Sequence, residues 1–113
     1  MNEREALPAR RIAISWSMRF YNREFAITAG LYPDGRIGEV FAMSDKIGSE
    51  MQALTRDGAI LISLALQFGC PLDIMRHAIS RNPDNTASSF VGALLDELVQ
   101  LDKQTEPPKE AAE

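Results

Sequence analysis

The first half of the chain alternates large apolar residues with small or polar ones, a period of two that is typical of β-strands. Between Arg11 and Phe20, the large apolar residues all share one parity: Ile12, Ile14, Trp16, Met18 and Phe20. The run from Glu24 to Tyr32 repeats the pattern, and a third, less regular run contains Ile37, Phe41 and Met43. A chain with this pattern is constrained to form antiparallel strands that share one apolar face.

The loops between the runs predict the strand register. A two-residue loop at Asn22-Arg23 places Phe20 opposite Phe25, and Pro33-Asp34-Gly35 favours a tight turn that places Phe25 opposite Met43. Both loops bring the large residues to the same face. The sequence therefore predicts a three-stranded antiparallel meander with the second run as its central strand.

The opposite face of this sheet is predicted to be small and polar. Its residues are Ala13, Ser15, Ser17, Ala26, Thr28, Gly30, Gly38 and Ala42, flanked by Arg11 and Arg19. Such a face is either solvated or a docking surface, and Ser15, Ser17, Arg19 and Thr28 are the candidate interface residues. The two open sheet edges also predict a two-fold homodimer, in which Arg11 and Arg19 meet Glu24 of the second copy. A helical surface is the alternative interface.

After Met43 the apolar residues follow a helical spacing. Ser49 is predicted to cap a helix that runs to Phe68 and ends at Gly69. Its predicted core stripe comprises Met51, Leu54, Gly58, Leu61, Ala65 and Phe68. Because residues 58–66 are apolar nearly all round, we expect this helix to be buried on more than one side.

Two further helices complete the predicted fold. Pro71 suits the first turn of a short helix that carries Leu72, Met75 and Ile79. Asn85 or Thr86 is predicted to cap a last helix whose stripe is Phe90, Leu94, Leu95, Leu98 and Leu101. The fold class is thus α+β, with three strands followed by three helices that cover one sheet face. We expect a flexible N-terminus at residues 1–9, a single domain at 10–102 and an acidic flexible tail at 103–113.

Charge and composition exclude several functions. The formal net charge of the 113 residues is −4, and residues 96–113 account for it with six acidic residues against two basic ones. The remainder is balanced, so direct nucleic-acid binding is not expected. No apolar run approaches the roughly 20 residues of a membrane helix, and the N-terminus lacks a secretory signal, so a cytoplasmic protein is expected. A single cysteine provides neither a disulfide nor a zinc site.

No motif in the chain is specific for an enzyme, and no catalytic residue, cofactor or metal site is predicted. His77, the single histidine, is either a general base or a structural or surface residue. Cys70 is either a thiolate stabilised near a helix start or a small packing residue. Glu39 falls by parity on the apolar face, where we expect it to find a hydrogen-bond donor near Gly48-Ser49. Glu39 and Ser49 are therefore the candidate polar site, as structural partners or as ligand-binding residues.

Four blocks of the sequence carry a family resemblance: LYPDGRIGEVF at residues 31–41, KIGS at 46–49, ALQFGCPL at 65–72 and LLDEL at 94–98. In order and spacing they resemble the TSCPD-type domain at the C-terminus of adenosylcobalamin-dependent (class II) ribonucleotide reductases. Extended members of that family have several cysteines thought to bind metal. This chain has only Cys70, so the resemblance implies no metal site here.

The resemblance implies an accessory domain. Ribonucleotide reduction needs several cysteines and a large catalytic barrel, and this chain has neither. The implied function is a non-catalytic accessory or regulatory module in deoxyribonucleotide synthesis, which acts by protein contact with a reductase or another protein. Two alternatives share only the fold: a general oligomerisation or interaction module, and a small-molecule binder.

Overall fold

The computed structural model describes residues 3–45 and 50–105 of the chain. Three strands, β1 (Ala13–Phe20), β2 (Arg23–Leu31) and β3 (Ile37–Ser44), precede three helices, α1 (Glu50–Gln67), α2 (Leu72–Ala78) and α3 (Phe90–Thr105). The strands form one antiparallel sheet in the order β1-β2-β3. The predicted α+β class and element order are confirmed, whereas the predicted cap Ser49 lies outside the described residues.

The first hairpin turns one residue earlier than predicted. Its loop is Tyr21-Asn22, with φ angles of 50° and 65°, so that Phe20 pairs with Arg23 and Met18 with Phe25. A two-residue loop of this kind needs positive φ at both positions, and asparagine tolerates that conformation better than most residues. Because the register moves by two residues, every side chain of β1 keeps its predicted face.

The second hairpin contains an irregularity that the sequence analysis missed. The Leu31–Ile37 pairing is as expected, but the register shifts between Gly30 and Leu31. Beyond this bulge, Phe25 pairs with Ser44 instead of Met43. A shift of one residue exchanges the two faces of a strand, so Val40 is buried whereas Phe41 and Met43 are each 57% exposed. The prediction that Phe41 and Met43 face the core is wrong.

Helix α1 also turns a different face inward from the predicted one. Its buried residues are Thr55, Ala59, Ile62 and Gln67. The Ser63 hydroxyl accepts a hydrogen bond from Val40 N–H at 2.8 Å and lies 3.1 Å from Val40 O, and Gln67 Nε2 donates to Gly38 O at 2.9 Å. These polar side chains satisfy backbone groups on the outer edge of β3, which would otherwise be buried without partners.

The core lies between the sheet and helices α1 and α3. As predicted, α3 buries Phe90, Leu94, Leu95 and Leu98. The helix begins later than Asn85 or Thr86, because Ser89 Oγ accepts the Gly92 N–H at 3.2 Å and so caps the first turn. At the other helix end, Gly69 has a φ of 96°, as expected for the residue that ends α1. None of the helices in the described ranges is long and apolar enough to cross a membrane.

Candidate interaction surfaces

The four candidate interface residues lie on the outer sheet face, where two of them pair with each other. Ser15 and Thr28 are opposite one another, and their hydroxyl oxygens are 2.8 Å apart. Arg19 Nη2 donates to Glu24 Oε2 of the facing strand at 2.7 Å. Arg19 therefore pairs with Glu24 of its own chain, and not with Glu24 of a second copy as the sequence predicts. Ser17 is exposed beside them.

Glu39 belongs to the outer face, because the bulge places it opposite Gly30 instead of Ala29. Its Oε2 accepts a hydrogen bond from Arg11 Nε at 2.6 Å, and in this ion pair the Glu39 side chain is 13% exposed and that of Arg11 28%. Glycine at position 30 leaves the room in which the Glu39 side chain lies across β2, since a Cβ there would collide with it. Glu39 thus has a donor, Arg11. Ser49 lies outside the described residues, so its pairing with Glu39 stays a prediction.

The solvent side of α1, with the residue that follows its last turn, carries a group of exposed large apolar side chains around the exposed Asp57, and we call this group the α1 apolar face. Its large side chains are between 36% and 66% exposed: Leu54, Ile60, Leu61, Leu64 and Phe68. Leu54, Leu61 and Phe68 belonged to the predicted core stripe, and the expectation that α1 is buried on more than one side is wrong. A cluster of exposed large apolar side chains of this kind is common at sites of protein contact.

The polar residues that decide this orientation were missed. Thr55, Ser63 and Gln67 lie on the inward side of α1, beside the buried apolar residues Ala59 and Ile62, and these three positions are readable in the sequence. Gln67 also accepts a hydrogen bond from Arg4 Nε at 2.6 Å and, through its backbone oxygen, one from Glu5 N–H at 2.8 Å. This side chain therefore joins α1, β3 and the N-terminal segment.

A cleft of about 530 Å³ separates β1 from α3. Its lining residues are Ile14, Trp16, Asp96, Glu97, Gln100 and Leu101. The Trp16 indole is half-buried, and its Nε1–H donates to Glu97 Oε1 at 2.6 Å. The cleft is mostly apolar and opens beside the free edge of the sheet.

Asp96 on α3 forms ion pairs with two arginines from the preceding part of the chain. Its carboxylate accepts hydrogen bonds from Arg81 in the loop after α2 and from Arg76 on α2, the latter at 2.7 Å. Hydrogen bonds from Arg81 first, and from Arg76 as well, hold the pKa of Asp96 below its ordinary value despite partial burial. Because one carboxylate serves both guanidinium groups, this cluster links α2, the loop and α3.

His77 and Cys70 each lie near a backbone carbonyl oxygen of a neighbouring residue. The His77 ring lies exposed, with Nδ1 2.8 Å from the Asp73 carbonyl oxygen of the preceding turn. Cys70 is a half-buried free thiol, whose sulfur lies 3.8 Å from Pro71 O. No group of three potential metal ligands occurs within residues 3–45 and 50–105.

We expect Cys70 to be a packing residue. Cys70→Ala should change the free energy of unfolding by less than about 1 kcal/mol, since the side chain is small and only half-buried. Urea denaturation measures this change, and native modification by a thiol reagent at neutral pH should be slow. Rapid modification would contradict the prediction and indicate a reactive thiolate.

The chain is similar to a short segment of much longer enzymes. It is 37% identical over 73 residues to the vitamin B12-dependent ribonucleotide reductase of Bradyrhizobium diazoefficiens, which is 65% of this chain and 6% of the reductase. The reductase of the same name from Agrobacterium fabrum is 39% identical over 71 residues, 63% of this chain and 6% of that enzyme. The Rhodopirellula baltica reductase is 34% identical over 77 residues, 68% of this chain and 7% of the enzyme.

This similarity supports the relation to ribonucleotide reductases that the four sequence blocks indicated. The chain spans only 6–7% of the length of these curated relatives. No family model matches the chain. No solved structure matches it either.

Proposed function

We propose that this chain is a non-catalytic accessory or regulatory module of B12-dependent ribonucleotide reduction, and that it acts by protein contact in deoxyribonucleotide synthesis in the cytoplasm. The observation that carries the proposal is the similarity of about two thirds of the chain to a segment that makes up only 6–7% of such reductases. In this proposal the shared segment is a TSCPD-type domain, as its sequence blocks suggest.

The α1 apolar face supports a role in protein contact. Five large apolar side chains on the solvent side of α1 and at its C-terminal end are costly to leave in water, and a partner surface would remove them from it. The polar side of α1 is occupied by β3, so this face remains accessible without a change in the fold. We assign the α1 apolar face as the contact surface for the reductase.

The experiment is a direct binding measurement with the B12-dependent reductase encoded in the same genome. The immobilised chain is presented with the intact reductase and with a reductase from which the homologous segment has been deleted. Binding to either form supports the proposal. If the chain occupies the same place as the homologous segment, the deleted form should bind more tightly. Absence of binding to both forms would contradict the proposal.

The substitution Leu61→Glu tests the assigned surface. Leu61 is 66% exposed, so a glutamate there should leave the free energy of unfolding within about 0.5 kcal/mol of the original protein. Burying an unpaired carboxylate in an interface is expensive, and we expect affinity for the reductase to fall at least about tenfold. The matched control is Ile74→Glu on α2, which is similarly exposed at 60% but lies outside the α1 apolar face. Equal affinities for the Leu61 and Ile74 variants would contradict the assignment.

A further inference from the structure

The two edges of the sheet differ in whether their outward backbone groups have hydrogen-bond partners. On the β3 edge, Ser63 and Gln67 of α1 satisfy Val40 N–H and C=O and the Gly38 carbonyl. On the β1 edge, no helix or loop among the described residues supplies such partners. Unpaired backbone donors and acceptors on an edge strand form a template for another strand.

The hydrogen-bond pattern identifies which groups of β1 are unpaired. Leu31 N–H donates to Ile12 O at 2.9 Å, so the even-numbered residues of β1 exchange hydrogen bonds with β2. The odd-numbered residues must therefore direct their N–H and C=O groups away from the sheet: Ala13, Ser15, Ser17 and Arg19. Within the described ranges, these backbone groups have no hydrogen-bond partner.

Apart from Arg19 near its end, β1 also lacks the features by which proteins protect open edges. The six residues from Ala13 to Met18 include no charge, proline or glycine, and the pairing of β1 with β2 is regular throughout. Ile12, just before the strand, is 69% exposed, and Trp16 is only half-buried above the cleft of about 530 Å³. An unprotected backbone edge and an apolar cleft thus lie side by side.

We propose that a second copy of this chain occupies this edge, with the two β1 strands paired antiparallel about a two-fold axis at Trp16. In this register Ser15 of one copy faces Ser17 of the other and exchanges both backbone hydrogen bonds with it. On the inner face, apolar residues meet apolar residues: Ile12 faces Phe20, Ile14 faces Met18, and the two Trp16 side chains face each other. The result is a continuous six-stranded sheet.

Charge disfavours one of the neighbouring registers that the backbone allows. A register shifted by two residues toward the start of β1 would place Arg11 of one copy opposite Arg19 of the other, and like charges directly opposite each other are unfavourable. The proposed register places Arg19 opposite Ala13. The second copy would also bring its own β1 over the open side of the cleft, where it would cover Ile14 and Trp16.

This dimer is independent of the proposed contact with a reductase. The α1 apolar face belongs to the helix that covers the β3 edge, at the opposite side of the sheet from β1. Leu61→Glu should therefore leave the dimer intact while it weakens reductase binding, so failure of one proposal is distinguishable from failure of the other.

Amide hydrogen exchange of the unmodified protein is the most direct test. If β1 is an open edge, the amides of Ala13, Ser15 and Ser17 should exchange rapidly, whereas those of Ile14 and Trp16 are protected by β2. In the proposed dimer, protection should extend to the odd-numbered residues, and light scattering at micromolar concentration should give twice the monomer mass. A monomeric mass, or rapid exchange confined to the odd-numbered amides, would overturn the proposal.

Ser17→Pro removes one outward N–H without affecting the ladder between β1 and β2, and proline is tolerated on edge strands in this orientation. Two hydrogen bonds are lost per dimer, so the dissociation constant should rise on the order of 100-fold. The control Ser17→Ala keeps the N–H and should remain dimeric. A folded Ser17→Pro protein with undiminished dimer mass, or a Leu61→Glu protein that is monomeric, would place the interface elsewhere.

Discussion

Phe25→Ala should destabilise the protein by about 3–5 kcal/mol, whereas Phe41→Ala should cost about 0.5 kcal/mol or less. The Phe25 ring is 2% exposed and lies 4.4 Å from that of Phe90, centroid to centroid. Its removal leaves a cavity that α3 cannot fill without moving. Phe41 is 57% exposed on the outer face, so its removal leaves no cavity.

Urea denaturation of both variants at one protein concentration measures these changes, and the pair tests the bulge directly. A regular register would bring Phe25 and Phe41 to the same apolar face, and both alanine variants would then lose several kcal/mol. Similar costs for the two substitutions would therefore contradict the bulge between Gly30 and Leu31.

Trp16→Ala should cost about 3 kcal/mol, the lower part of the range for removal of a large aromatic side chain from a core. The indole packs against the core from β1 but is only half-buried, and its loss also leaves the Glu97 carboxylate without its donor.

Trp16→Phe is the matched control for the hydrogen bond. It keeps an aromatic ring in the same place but removes Nε1–H, and we expect it to cost about 1–2 kcal/mol. Chemical denaturation of both variants separates packing from hydrogen bonding. A loss of less than about 1 kcal/mol for Trp16→Ala would mean that the ring contributes little to the core.

The number, order and type of the elements could be predicted from the sequence because they depend on local patterns. Period-two alternation is inherent to a strand. The predicted faces of β1 are correct although the predicted register was wrong by two residues at the Tyr21-Asn22 loop, because a shift of two residues preserves the faces. The same locality explains why the buried stripe of α3, including Leu94 and Leu98, was predicted correctly.

The surfaces proposed for contact could be predicted only in part. Ser15, Ser17, Arg19 and Thr28 were assigned to the outer face, where the structure has them. However, the bulge is what brings Phe41, Met43 and Glu39 to that face. The only indication of the bulge in the sequence is a pair of glycines, Gly30 and Gly38, on either side of the turn. A register shift of one residue leaves no trace in composition or charge, yet every residue of β3 beyond it turns to the opposite face of the sheet.

The sequence by itself determined that this chain forms three antiparallel strands followed by three helices, because alternation, turn residues and helix-ending glycine act over a few neighbouring positions. Only the tertiary structure decided which side of α1 faces inward. Periodicity shows which residues share a helix face, but α1 is apolar on more than one side. The choice followed from the backbone of β3, whose edge groups at Gly38 and Val40 needed hydrogen-bond partners that Ser63 and Gln67 could supply.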